Sequence, residues 1–415
     1  MYIILVVFLL VYVAMGFGRL PGFKVDRTGA ATLGAMALLS LGSISPAAAW
    51  QSIDYRAIGL LFGLMVVSSA FVAAGFYEAA AHRVGKLKAS PPALLAIFIA
   101  VAGALSAALT NDVVVVAMTP ALVAITLARG LNPLPFMLGF CFAANVGSAA
   151  TLIGSPQNMI AAEALHLSFT GFMRAAALPA IIALPIVWAV VAFAYRGNWT
   201  LAPAPAPAAS AGGASSTSAP FNRLETVKAG LVTLAVVAAF VCSSWPHMLI
   251  AMAGASVLLL NRRIASADMM RHVDGDLLLL LMGLFVVNAA LASTGLPGNV
   301  LESLKGIGLD LTEPLSLLVV MSVLSNVVGN NPAVMLVAPF IQGAPQSDAL
   351  GAAIALGTGF SSNMVIFGSL AGIIIAEQGR ANSVSVGFWA FTRVGLPIAL
   401  LALALAAAWI GWLRG

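Results

Sequence analysis

A chain of 415 residues that is 61% hydrophobic and only 8% charged, with mean hydropathy +1.04, has too little polar surface to fold in water around a soluble core. It reads as an integral, all-α polytopic membrane protein. The net charge of +5 comes from basic residues scattered singly through short loops, with no basic stripe, so nucleic acid is excluded as a partner.

Ten apolar stretches are long enough to cross a hydrocarbon layer of ~30 Å. They lie near residues 2–18, 28–49, 57–81, 134–166, 172–195, 228–244, 246–261, 277–295, 349–377 and 388–413. The first lacks a basic leader and a cleavage site and is followed by Arg19, Lys24 and Arg27, so it reads as a retained span. Two further stretches, 91–129 and 313–342, are interrupted by Asn111-Asp112 and Asn330-Asn331. Each reads as a re-entrant hairpin, because irregular backbone at membrane depth is tolerated only where it is buried or lines a cavity. Ten spans with two hairpins put fifteen Lys/Arg residues inside and four outside, with both termini extracytoplasmic. Residues 199–222 are low-complexity Pro/Ala/Ser/Gly and read as a flexible cytoplasmic linker between residues 1–198 and 223–415.

Those two halves are repeats. Residues 61–70 match 281–290 at an offset of 220, Asn111 and Pro120 match Asn330 and Pro339 at 219, and Gly154-Ser155 match Gly368-Ser369 at 214. Gly171-Phe172 and Pro179 find Gly387-Phe388 and Pro397 at 216 and 218. Five spans per half is an odd number, so the two repeats of five spanning helices and one hairpin are inverted relative to one another. Inverted repeats are the geometry of alternating access.

Polar residues inside the apolar runs fall in four places. Two are the hairpin tips, with Asn111 and Asp112 in one and Asn330 and Asn331 in the other. Two are breaks in the following spans, with Thr151, Ser155 and Asn158 in one and Ser362, Asn363 and Ser369 in the other. Gly and Pro free backbone groups there, and helix N-termini can hold an anion or polar oxygen without a basic side chain. These ten residues are the candidate substrate-binding set, and no Lys or Arg is available at that depth. Asp112 is the one formal charge expected at mid-depth, and its repeat partner is the neutral Asn331. A carboxylate at that depth is costly and marks a proton-coupling group, the competing reading being an ionised cap on the second hairpin helix. Glu78, Glu163 and Glu377 read as interfacial, Cys141 as a small apolar side chain or a soft ligand for trivalent arsenic, and the four histidines show no metal spacing.

At these residues the chain resembles the ion-transporter superfamily. Asn111-Asp112 with Thr119-Pro120, Asn330-Asn331, Gly368-Ser369-Leu370-Ala371 and the closing run from Gly387 to Pro397 are similar to the arsenite permease branch. The break Gly154-Ser155-Pro156-Gln157-Asn158 is similar to the broader anion permeases, while Gly372 stands where many relatives carry Asn. The Ser-Asn-Thr hairpin tips of the carboxylate transporters are absent. The resemblance implies a secondary transporter in the cell inner membrane that exports arsenite, antimonite or a related small oxyanion. Proton coupling is expected, with sodium as the other candidate ion, and no cofactor or metal. The alternatives are a di- or tricarboxylate or other anion permease, or a sodium/proton antiporter. A homodimer and an arsenical-pump ATPase are the candidate partners beyond the lipid bilayer. An intramembrane enzyme is disfavoured, because paired acids, the zincin motif and a Ser/His or Ser/Lys pair are all missing.

Overall fold

The computed structural model describes residues 1–200, 221–306, 308–382 and 384–413. The central part of the expected linker, residues 201–220, therefore lies outside the described residues. Among those described, the chain is helical with no strand beyond two isolated bridges, Arg19 with Asp26 and Leu131 with Thr200.

The first half forms α1 (Tyr2–Phe17), α2 (Arg27–Ser40), α3 (Pro46–Ser52), α4 (Tyr55–Ala73), α5 (Phe76–Gly85), α6 (Pro91–Ala108), α7 (Asn111–Ala128), α8 (Pro133–Ser148), α9 (Pro156–Ala164) and α10 (Phe169–Ala194). The second half repeats that order with α11 (Arg223–Cys242), α12 (His247–Leu259), α13 (Ser266–Met270), α14 (Gly275–Ala292), α15 (Leu296–Gly306), α16 (Pro314–Val328), α17 (Asn330–Ile341), α18 (Ser347–Ser361), α19 (Leu370–Ala381) and α20 (Phe388–Leu413). The ends follow local chemistry. Asp54 accepts from the amides of Arg56 and Ala57 to start α4, and Asp274, its counterpart, accepts from Leu277 to start α14.

Seven described helices are long and apolar enough to cross a membrane: α4, α6, α7, α10, α11, α14 and α20. Several expected spans are shorter than their apolar runs suggest. The stretch 28–49 breaks after Ser40, where Gly42 turns left-handed (φ 65°) and Ser45 caps α3. The stretch 57–81 breaks at Gly75 (φ 69°), a conformation that costs glycine little, and continues as the amphipathic α5. Hydropathy does not register either turn, because the turn residues are themselves small and weakly polar.

Packing is reciprocal between the halves. Helix α2 lies along α14 while α12 lies along α4, and α6 with α8 has its counterpart in α16 with α18. Gly63 of α4 faces the Ala251 backbone of α12 at 2.7 Å from a built Cβ, and Gly283 of α14 faces the Ala31 backbone of α2 at 2.8 Å. Such mutual contact of small residues lets helix backbones approach closely where lipid supplies no hydrophobic drive. The helices also fall into two groups, each drawing on both halves: α1–α4 with α11–α15, and α6–α10 with α16–α20, with α5 lying mainly along α7. In the second group α8 and most of α18 are buried on every side, whereas α10, α11 and α20 show large apolar side chains such as Phe193, Leu231 and Trp412 outward.

Candidate functional site

The first tip is the break at Leu109–Thr110 between α6 and α7. It docks against the middle of α4, where Ser68 Oγ lies 3.3 Å from Thr110 Oγ1 and 3.4 Å from the Thr110 amide. Thr110 is the N-cap of α7, and Asp112 is its second residue. Asp112 therefore does not cap the helix, and it forms no ion pair among the described residues. The second tip turns at Gly329 and meets α14 through Tyr12, whose hydroxyl donates to Asn288 Oδ1 at 3.0 Å and lies 3.5 Å from the Pro332 carbonyl. Asn288 is the repeat counterpart of Ser68.

The broken spans supply the middle of the site. Helix α8 ends at Ser148, a short 3-10 turn (Leu152–Gly154) follows, and α9 restarts at Pro156. Asn158 Nδ2 donates back to the Ser148 and Thr151 carbonyls, both at 2.9 Å, which holds this break in shape. Thr151 Oγ1 donates to the Ala107 carbonyl and ties the same break to the first hairpin. In the second half Gly372 occupies the matching place, and a Cβ there would run into the Ile366 carbonyl oxygen. Backbone fills the space that a side chain fills in the first repeat, which accounts for Gly at this position. Between the two breaks Asn145 Nδ2 donates to Asn363 Oδ1 at 2.9 Å and to Ser369 Oγ at 3.2 Å. Asn145 and Asn363 are repeat counterparts at an offset of 218, so this buried bond joins equivalent points of the two halves. Asn145→Ala removes both bonds and leaves a buried acceptor on Asn363, at about 1–3 kcal/mol for an unsatisfied buried group. The expected outcome is a thermal midpoint several degrees lower in detergent; an unchanged midpoint removes this network from the account of stability.

Both tips line one open cavity of about 190 Å³, far above the ~10–15 Å³ that a single water needs. Asn111, Asp112, Asn330, Asn331 and Ser369 of the ten expected residues lie on its wall. Thr151, Ser155, Asn158, Ser362 and Asn363 do not. They are buried behind it: Asn330 Nδ2 donates to Ser362 Oγ at 3.0 Å, so Ser362 supports a wall residue rather than forming the wall. The wall also holds groups that the one-dimensional reading did not select, namely Arg27 and Thr28 from α2, Gln157 from α9, and Asp274 and Asp276 from α14. Arg27, Asp274 and Asp276 thus bring further charge to the wall that carries Asp112. Docking of α2 on α14 brings both helix starts to the second tip, with Thr28 Oγ1 donating to the Asp276 carbonyl at 3.2 Å. Arg27 spends its Nε on the Met15 carbonyl at 3.0 Å. Three carboxyl groups against one guanidinium make the wall acidic. Asn111 Oδ1 and Asn331 Oδ1, one from each tip, are buried and carry no hydrogen bond among the described residues. No group of three or more metal-ligating side chains occurs among the described residues.

The tips between α6 and α7 and between α16 and α17, with the breaks before α9 and α19, thus meet at one cavity. The profile described as citrate transporter matches residues 5–359. This chain belongs to the citrate transporter family. Membership places it in the ion-transporter superfamily, among multi-pass membrane transporters. It is 29% identical to an uncharacterized transporter of Mycobacterium tuberculosis, covering 97% of each chain. It is 26% identical to a silicon efflux transporter of Oryza sativa subsp. japonica, covering 95% of this chain and 94% of the relative. In fold it is similar to the crystal structure of the Alcanivorax borkumensis YdaH transporter, with TM-score 0.57 and 16% identity over 99% of this chain and 96% of that one.

Proposed function

We propose that this chain is a secondary transporter that exports arsenite, antimonite or a related small hydroxylated solute by alternating access of two inverted repeats, with a proton carried by Asp112. The observation that carries the reading is that both hairpin tips, with Asp112 on one and Asn331 on the other, line a single cavity. The reciprocal packing of the halves supports the two-fold relation that alternating access uses.

The wall chemistry favours an uncharged hydroxide over a polyanion. At neutral pH trivalent arsenic is mostly its trihydroxide, and silicon, the solute named for the rice relative, is likewise a neutral hydroxide. Such solutes donate and accept hydrogen bonds, and the amide side chains of Asn111, Asn330 and Asn331 on the cavity wall are of a type that can do both. A tricarboxylate would face Asp112, Asp274 and Asp276 with one guanidinium to answer them. Citrate remains the second reading because of the family profile.

Purified protein in proteoliposomes under an imposed pH difference separates the two. Arsenite, antimonite or silicic acid is expected to accumulate on the acidic side, in exchange for protons, and to drive counterflow of labelled solute. Movement of citrate with no movement of any of the three hydroxides overturns the substrate assignment.

A further inference from the structure

The cavity side and the opposite side of the molecule are built from equivalent parts but are closed differently. On the side away from the cavity, Glu163 at the end of α9 meets His247, the first residue of α12, with 3.5 Å between Oε1 and Nδ1. Their side chains are only 10% and 18% exposed. The Phe240 ring of α11 covers the pair, 5.1 Å from the His247 ring and 5.7 Å from Phe169 at the start of α10. Asp54 and Arg56 at the start of α4 and His166 just past α9 are further charged or titratable groups near the pair, Arg56 lying within electrostatic reach of Glu163. Both contacts join one helical body to the other: α9 and α10 belong to the body of the hairpins, α11 and α12 to the other.

The repeat relation supplies the counterparts on the cavity side. Arg27 corresponds to His247 at an offset of 220, and Glu377 corresponds to Glu163 at 214. Those two do not meet. Arg27 lies on the cavity wall with its Nε on the Met15 carbonyl, and Glu377 is exposed on α19. Likewise α9 packs against α4, whereas α19 makes no comparable contact with α14. A basic residue and a glutamate are thus placed at both ends and meet at one.

We propose that Glu163 with His247 and Arg27 with Glu377 are alternating latches across the interface of the two bodies. The first holds the far side shut while the cavity is open, and the second forms when the bodies shift and the cavity side closes. The inference rests on the two-sided access proposed above but not on the identity of the solute. It gives Arg27 a task distinct from binding an anion, and it gives His247 a part in closing one side only.

Labelling tests this without any solute. In a Cys242→Ser background, where the remaining Cys141 is buried, Leu280→Cys places a thiol on the cavity wall. A membrane-impermeant maleimide is applied to each face of sealed vesicles. Glu163→Gln removes the latch that favours the open cavity, so labelling from the cavity face is expected to fall severalfold. Glu377→Gln removes the competing latch, so labelling is expected to rise. The exchanged pair Glu163→His with His247→Glu is expected to restore the starting rate, which separates latch loss from misfolding. Equal labelling in all variants, shifts of the same sign in the two Gln variants, or an exchanged pair that behaves like Glu163→Gln overturns the proposal. Opposite shifts in a protein that moves none of the tested solutes leave the latches standing and remove the transport assignment instead.

Discussion

Asp112→Asn is expected to lose solute accumulation driven by a pH difference while keeping solute exchange. The substitution keeps side-chain size and hydrogen-bonding capacity and copies the residue already present at Asn331 in the other repeat. It breaks no ion pair, since Asp112 has none among the described residues, and it removes the cost of a charge at depth, about 2.5–3.5 kcal/mol at the centre of a bilayer. The fold should therefore hold. What disappears is the group that binds a proton on one side and releases it on the other. The accumulation ratio is expected to fall to about one, with counterflow of labelled solute retained. Asp276→Asn, at an exposed position on the same wall, is the control and should keep accumulation. Undiminished accumulation by Asp112→Asn under an imposed pH difference removes Asp112 from the coupling step.

The largest structural effect is expected at Gly395. This residue lies in α20 where it crosses the break between α18 and α19, and a Cβ there would overlap the Asn363 carbonyl and touch the Phe142 ring at 3.0 Å. The neighbourhood cannot give way easily. Phe142 is fully buried and stacked edge-on against Phe391 at 4.8 Å, and the Asn363 side chain is held by Asn145. Overpacking of a filled core costs about 1–3 kcal/mol, and more where the obstacle is backbone, which has no rotamer to change. Gly395→Val is expected to lower the yield of folded protein and the thermal midpoint in detergent by more than any single polar substitution at the cavity, with Gly395→Ala intermediate. Gly411→Ala, in the same helix with nothing within 4 Å of its Cβ, should leave the midpoint unchanged. A Gly395→Val protein as stable as Gly411→Ala would mean that α20 does not pack on this break.

The membrane class, the helical architecture and the family were legible from residue order, because each rests on one-dimensional quantities. Apolar runs of sufficient length, polar interruptions within them and a repeated order of Gly, Pro and Asn need no partner to be read. The polar pairs Asn111-Asp112 and Asn330-Asn331 were legible in the same way, since two adjacent polar residues inside an apolar run have few alternatives to burial at a cavity. Asn145 was legible in principle: it stands at an offset of 218 from Asn363, within the drift of the other repeat matches, and both are polar residues inside apolar runs. Arg27, Asp274 and Asp276 were not. Each sits at a helix start beside a loop, where a charge is ordinary, and only the lengthwise docking of α2 on α14 carries them to the second tip. Conversely, Thr151, Ser155, Asn158, Ser362 and Asn363 carry the residue types of a binding site yet spend their groups on the backbone of the breaks or lie wholly buried behind the wall. Residue type and depth follow from order along the chain. Which polar groups face the cavity and which face one another depends on the angle and register at which the two halves pack, and those are set by close contacts such as Gly63 on Ala251 and Gly283 on Ala31 that exist only in the folded molecule.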